Sequence, residues 1–301
     1  MTLEVTPSRE AQVGSHTVRR ALPRRTRRTV GAWCFIDHMG PATVTEAGAV
    51  GIGPHPHMGL HTVTWLVAGE LLHRDTLGSE QAIRPGQLNL MTAGHGVAHA
   101  EEATAFRGAF QGVQLWVAQP ERTRNGPAAF EHHAELPCAD LANGEATVLV
   151  GQLDNSSGGG SVVSPARRDT DLVGIDLALR PGQSTVPLNP LFEHALVVLE
   201  GAVIVDGQVI EPGHLAHLGL GRDELGVTAQ APTRVLLVGG VPFESPVLMW
   251  WNFVARTRDE VTAAQHAWNA ADERFGEVAS MLDRIPAPAV PAGWPGPAHQ
   301  A

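Results

Sequence analysis

The chain predicts an all-β fold, made of two copies of one antiparallel barrel unit and a short helix near the C-terminus. Three observations carry that prediction. Glycine (33) and proline (22) recur at short spacing through the 301 residues. Between them lie short apolar and β-branched runs: Val63–Val67, Gly112–Val117, Ala146–Val150, Leu172–Leu179, Ala195–Leu199, Val203–Val205 and Arg234–Val238. Short strands with turn signals every ~8–12 residues are the pattern of a sandwich or barrel. Helical periodicity is hard to find before residue 257. The third observation is a weak internal repeat. A strand closes on Val67-Ala68-Gly69-Glu70 and Arg84-Pro85-Gly86-Gln87 follows; later a strand closes on Val198-Leu199-Glu200-Gly201 and Glu211-Pro212-Gly213-His214 follows.

The helix begins at a capping box, Thr257-Arg258-Asp259-Glu260, in which hydroxyl and carboxylate close the first turn. Val261, Ala264, Trp268 and Ala271 then share one helical face. The Pro/Ala/Gly-rich tail after Ile285 is expected to be disordered. Ser156-Ser157-Gly158-Gly159-Gly160 reads as a linker or as a hairpin loop, and Asn143-Gly144 is a competing boundary. The apolar, Trp-rich segment Met249–Phe253 reads as a strand packing between the units rather than as a binding platform.

Composition excludes several functions. Hydrophobic residues make up 43% and charged residues 17%, as in a soluble globular protein. No apolar run approaches ~18 residues, so no membrane span is expected. The N-terminus carries no secretory signal pattern, and a cytoplasmic location follows. A formal charge of −10 argues against nucleic-acid binding. Every basic residue is arginine, which excludes a Schiff-base lysine and a P-loop. Six arginines crowd into Arg19–Arg28; in an acidic chain they read as a solvated strand and loop. Two cysteines, Cys34 and Cys138, form no disulfide framework or thiolate cluster and read as buried thiols. There is no Gly-x-Ser-x-Gly elbow.

What stands out is histidine. Six of the fifteen histidines fall within the 45 positions from His55 to His99, where chance would place about two. His55 and His57 are two apart, as are His99 and Glu101, so each pair shares one face of a strand. Two such pairs on facing strands converge three imidazoles and a carboxylate on one point. That donor set suits a transition metal: imidazole suits Zn, Cu, Fe and Ni, and the carboxylate moves the preference toward Fe or Mn. Four protein ligands on an octahedral ion leave two positions for substrate or O2. His61 keeps the parity of His55 and His57, and reads equally as an inward ligand or proton carrier and as a core histidine. His95, between two glycines, lines the pocket mouth. His73, in His73-Arg74-Asp75, reads as a structural hydrogen bond or salt bridge.

These segments together resemble the pirins, of the cupin superfamily: Pro54-His55-Pro56-His57-Met58-Gly59, His73-Arg74-Asp75-Thr76-Leu77-Gly78, Pro85-Gly86-Gln87 through Gly94-His95-Gly96, and His99-Ala100-Glu101. Arg19–Pro23, Val30 through Phe35-Ile36-Asp37-His38-Met39-Gly40-Pro41, Gln114-Leu115-Trp116-Val117 and Trp251–Arg256 resemble further blocks of the family. The resemblance reaches about Trp268. It implies two tandem cupin (double-stranded β-helix, jelly-roll) barrels. Residues 1–140 would form the N-terminal metal-binding cupin, and residues 141–301 a metal-free C-terminal cupin with the helix and tail. The Ser-Gly tract is then a loop of the second barrel, and the arginine run belongs to the fold. The implied ligands are His55, His57, His99 and Glu101. The implied cofactor is Fe(II), with Mn, Ni, Cu or Zn as other divalent candidates. Departures from the family occur at Met58, where arginine is common, at His61, where glutamate is usual, at His95, where arginine is commoner, and at Ala118, where asparagine is common.

Overlaying Gly201 on Gly69 puts Pro187 and Asn189 at the places of His55 and His57. Overlaying Pro212 on Pro85 puts Gly226 at the place of His99. The second barrel is therefore expected to lack a metal. The resemblance implies a quercetin 2,3-dioxygenase-like oxidoreductase that cleaves a flavonol-like enolate with O2. Glu101 would be both ligand and proton acceptor, and His61 or His95 would relay the proton. The alternative is a metal-binding regulator of a transcription factor or metabolic enzyme, and a weaker third reading is a cupin enzyme with another metal and substrate. The expected assembly is a monomer.

Overall fold

The structure, a computed structural model, describes residues 3–14, 16–46, 51–154 and 160–294. The chain divides into two compact units. One comprises Met1–Ala11, Arg19–His38 and His133–Phe243; the other comprises Gln12–Val18, Met39–His132 and Glu244–Ala301. Each has the two-sheet architecture of a cupin.

In the unit that carries the clustered histidines, a four-stranded antiparallel sheet runs in the order Ile52–His57, Val97–Glu102, Leu71–Asp75, Glu80–Ile83. The larger sheet runs Ala129–His133, Leu88–Thr92, Leu60–Ala68, Gly108–Ala118, and then the part of Trp33–Val44 that belongs to this unit. Pro54 and Pro56 have no N–H to give a neighbouring strand. They are tolerated because Ile52–His57 stands at the edge of its sheet.

Between His57 and Leu60 the chain leaves the small sheet for the large one. Gly59 makes the turn at φ +70°. Its N–H donates to the Gly94 carbonyl and its own carbonyl accepts from Gln119, both at 2.9 Å. A Cβ here would run into the Val254 carbonyl oxygen. Glycine is needed for both conformation and space.

The other unit repeats the topology. Its small sheet runs Gly182–Pro187, Glu224–Ala229, Val203–Val205, Gln208–Ile210. Its large sheet runs Glu4–Pro7, His214–Gly219, Glu193–Glu200, Thr233–Gly240, Leu172–Leu179, Gly144–Val150, Cys138–Leu141. The strand order matches that of the first unit over the small sheet and the first five strands of the large one, so the internal repeat is a repeat of the barrel. The overlay by turn glycines, however, lands on the outward face of both strands. Pro187 and Gly226 lie off the core face. The strands in the places of Ile52–His57 and Val97–Glu102 turn Ser184, Val186, Leu225, Val227 and Ala229 inward, each buried. A one-residue slip flips every side chain to the other face, and unequal loops hide it from a turn-based alignment. Val186, Leu225 and Val227 join the hydrophobic cluster. Apolar residues thus make up most of the inward face of these two strands.

Two arginines of the run make structural ion pairs. Arg20 makes a two-pronged ion pair with the buried Asp37, at 2.7 and 2.6 Å, and lies over the Phe35 ring. Arg27 pairs with Glu4 at 2.7 Å. Cys34 is buried as expected, but Cys138 is exposed at the start of its strand.

The helix spans Arg258–Asn269, with Thr257 as N-cap and both halves of the capping box present. The Met249–Phe253 segment reads in sequence as a strand packing between the units. It forms the hairpin Leu248–Trp250/Phe253–Ala255, and its core residues join the helix face in one cluster within its own unit. The tail also differs from expectation. Up to Trp294 it lies along the helix: Trp268 Nε1 donates to the Ile285 carbonyl at 2.8 Å, Asn269 exchanges hydrogen bonds with Ala287, and Trp294 meets Trp250 edge-on. A proline-rich strand makes no hydrogen bonds of its own, so composition reads as disorder when side chains elsewhere supply the partners. Residues 156–159 of the Ser-Gly tract, and residues 295–301, lie outside the described residues.

Replacing Gly59 by alanine is expected to destabilise the fold by ~2–4 kcal/mol, through a strained φ and a backbone collision. Urea unfolding of Gly59→Ala would show a lower midpoint; a wild-type midpoint would contradict this account of the turn.

Candidate metal centre

His55 and His57 come from the edge strand, and His99 from the strand beside it, where His99 pairs with His55. Their ligand nitrogens all lie within 4.8 Å of one another, and the three residues are buried. His57 Nε2 and His99 Nε2 are 3.1 Å apart. Two imidazoles each about 2.1 Å from one ion and at right angles to each other have their nitrogens about 3 Å apart.

The remaining ring nitrogens face outward to partners. His55 Nδ1 lies 2.8 Å from the Gly53 carbonyl, and His57 Nδ1 lies 3.1 Å from that of Asn252. A carbonyl only accepts, so each Nδ1 carries the proton and each Nε2 turns its lone pair inward. Burial lowers the pKa of all three imidazoles, that of His55 to about 4, with neighbouring histidines and, for His55 and His57, opposing backbone hydrogen bonds as smaller effects. Three neutral imidazoles with convergent lone pairs fit a divalent transition metal.

Glu101 lies two residues beyond His99, on the same strand, and is buried. Its carboxylate stands outside the three-histidine group. A register shift between His99 and Glu101 pairs Glu101 with Ile52. Burial raises its pKa to about 7, against a smaller opposing hydrogen bond from Thr64.

The other histidines separate clearly. His61 pairs with Thr92 and Val117, while the adjacent Thr62 pairs with Trp116. The Trp116 ring lies edge-on to His57 at 5.1 Å, so His61 points to the opposite face of its sheet. There it is buried, with Nδ1 2.9 Å from Thr92 Oγ1. Parity counted from His55 fails because the chain changes sheets at Gly59. His95 is exposed, and its carbonyl accepts from Arg274 Nε at 2.9 Å. Met58 packs into the cluster with Phe253, Trp268 and Phe275, and Arg274 Nη2 reaches its sulfur at 3.2 Å.

His73 does make the hydrogen bond read from its motif, between Nε2 and Asp75 Oδ2 at 3.0 Å, but it also touches the centre. Its Nδ1 lies 3.4 Å from His99 Nδ1. Phe130 stacks on it, with ring centroids 4.3 Å apart. Asp75 is held below the usual carboxylate range: burial would raise it, but hydrogen bonds from His73 and Ser79 outweigh that. Asn252, Trp116 and Phe130 were not legible as neighbours of the site. Their only sequence signals are an aromatic in an apolar run and a turn in a tryptophan-rich one.

The chain is similar to known proteins over most of its length. Residues 15–117 match the family model described as Pirin, and residues 174–276 match the Pirin C-terminal cupin domain. A Pseudomonas aeruginosa protein named as a candidate quercetin 2,3-dioxygenase is 43% identical over 292 residues, which is 96% of this chain and 91% of that protein. A crystal structure described as quercetin 2,3-dioxygenase from Acinetobacter baumannii has a TM-score of 0.92 at 41% identity, over 98% of this chain and 97% of that one. A second structure so described, from the same organism, has a TM-score of 0.80 at 27% identity, over 89% and 96%.

The buried groups set opposite pH dependences on the metal-free protein. His55 and His194 are depressed to about 4 and His38 to about 3, and His57 and His99 are also lowered. Unfolded, they titrate near ~6.5, so the stability they contribute is complete above that pH and lost as pH falls toward 4. Glu101 is raised from 4.5 to about 7, so its contribution is lost as pH rises through 7. Scanning calorimetry of metal-free protein should show Tm falling from pH 6.5 to 4.5. Glu101→Gln should raise Tm above pH 7 by several degrees without abolishing the acid-side fall. An unchanged Tm above pH 7 would contradict the buried-carboxyl account.

Proposed function

The chain belongs to the pirin family, and on that premise we propose that it is a metal-dependent dioxygenase of the quercetin 2,3-dioxygenase type. Its substrate would be a flavonol or a similar enolisable molecule, cleaved with O2. One observation carries the reading. Three uncharged imidazoles converge in a buried site, beside a carboxyl whose pKa is raised to about 7. The relatives of 43% and 41% identity, whose names specify this activity, support it. We read the metal-binding barrel as the unit that carries the clustered histidines, which also takes in the helix and tail expected at 141–301, and the other unit as metal-free.

His55, His57 and His99 would hold the ion, with Glu101 as the fourth ligand. Fe(II) is the proposed metal. When bound, it supplies Lewis-acid and redox chemistry to the substrate oxygens and O2. The chain's own residues do the rest. Glu101, buried on the strand of His99, would take the proton of the substrate's enolic hydroxyl. Asn252 and Gly53 carbonyls hold the imidazoles with Nε2 inward. Trp116 stands edge-on against His57 on one side of the site.

Purified protein should carry about one divalent metal per chain, and His57→Ala should lose it by elemental analysis; retained metal would sink the ligand assignment. Fe(II)-loaded protein should consume O2 with a flavonol, faster than with Mn, Ni, Cu or Zn. Glu101→Gln should lower kcat by about 100-fold or more. Absence of turnover across a flavonol panel, with metal content verified, would overturn the enzymatic reading in favour of a metal-binding regulator.

A further inference from the structure

His99 differs from the other two histidines in what holds its outer nitrogen. His55 and His57 face backbone carbonyls, which can only accept. His99 Nδ1 instead faces His73 Nδ1, at 3.4 Å. An imidazole can donate or accept there, so this contact alone leaves the direction of the hydrogen bond open.

Asp75 removes the ambiguity. Its Oδ2 is 3.0 Å from His73 Nε2. Its Oδ1 accepts from the Leu77 and Ser79 amides, each at 2.9 Å. The carboxylate is thus anchored by two backbone donors and presents only an acceptor to His73. His73 must put its proton on Nε2, which leaves Nδ1 as an acceptor. His99 must then donate from Nδ1, and its Nε2 turns a lone pair toward His57 Nε2 and the centre. Strand register holds the parts in line: His99 pairs with Asp75 and Glu101 with His73. Phe130, stacked on His73, fixes the ring plane.

We propose that Asp75 and His73 form a buried relay that sets the tautomer of His99, and so act as positioning residues for the metal ion. The proposal rests on reading His99 as a metal ligand. Such outer partners typically alter metal affinity by about 10- to 100-fold.

A near-isosteric change isolates the tautomer from the packing. In Asp75→Asn the two backbone amides still demand an acceptor, so the amide oxygen stays with them and the NH2 group faces His73. His73 must then accept at Nε2 and carry its proton on Nδ1. That forces the proton of His99 onto Nε2, the atom that should bind the ion. An inverted tautomer of this kind follows an Asp-to-Asn change in a serine-protease triad.

The test has two readouts on the full chain, neither of them activity. The first is the tautomer of His73 in metal-free protein, from long-range nitrogen–proton correlation spectra. Wild type should show the proton on Nε2, and Asp75→Asn should show it on Nδ1. The second is zinc affinity by chelator competition. Asp75→Asn should bind zinc about 10- to 100-fold more weakly, while metal-free Tm stays within a few degrees of wild type. His73→Asn, whose side-chain oxygen can accept from His99 without Asp75, should lose less affinity than His73→Leu. An unchanged tautomer in Asp75→Asn, or wild-type zinc affinity in that variant, would overturn the relay. His57→Ala serves as the separate control. If it retains zinc, the ligand assignment fails and the relay falls with it; if it loses zinc while Asp75→Asn does not, only the relay fails.

Discussion

Three imidazoles buried within 4.8 Å of one another form an arrangement that a chain can hold only by controlling their protons. Charging any of them inside the barrel would place like charges together in a poorly hydrated site. Each is therefore kept neutral by burial, and each has its outward nitrogen engaged: two with carbonyls, one with His73. The surrounding architecture follows from these needs. The edge strand tolerates the prolines that flank His55. The Trp250–Phe253 hairpin turn delivers the Asn252 carbonyl, and the anchored carboxylate of Asp75 fixes the far end of the His73 contact.

The second barrel shows what the same scaffold does without that requirement. Its strands take the same order, but the inward positions hold Val186, Leu225 and Val227 where the first barrel has its donors. Apolar side chains need no partners for ring nitrogens and no anchored carbonyls, and they contribute directly to a continuous core. One strand order is thus used once around three buried imidazoles and once around a mainly apolar core.

Much of the fold was legible in local pattern. Leu172–Leu179 and Val203–Val205 are strands with the bounds read from their β-branched runs, and Thr257 caps the helix as its box predicts. The i, i+2 spacing brought His55, His57 and His99 together because alternation along a strand is a local property. Patterns that depend on where a strand ends were less reliable. His61 has the right parity but lies past Gly59, in another sheet. The second-barrel overlay landed on the outward face for a similar reason. The tail after Ile285 read as disordered because its partners, Trp268 and Asn269, belong to the helix rather than to itself.

The sequence by itself determined the fold class, the repeat, the family and the three histidines that gather at the centre, since each is written in residue type and short-range spacing. Only the tertiary structure decided which way the protons run. The acceptors that orient the rings are the Asn252 carbonyl, 195 positions from His57, and the His73–Asp75 pair on a neighbouring strand. A backbone carbonyl has no residue identity to read, and an imidazole can face either way. The direction of those hydrogen bonds therefore comes into being only when the strands are in register.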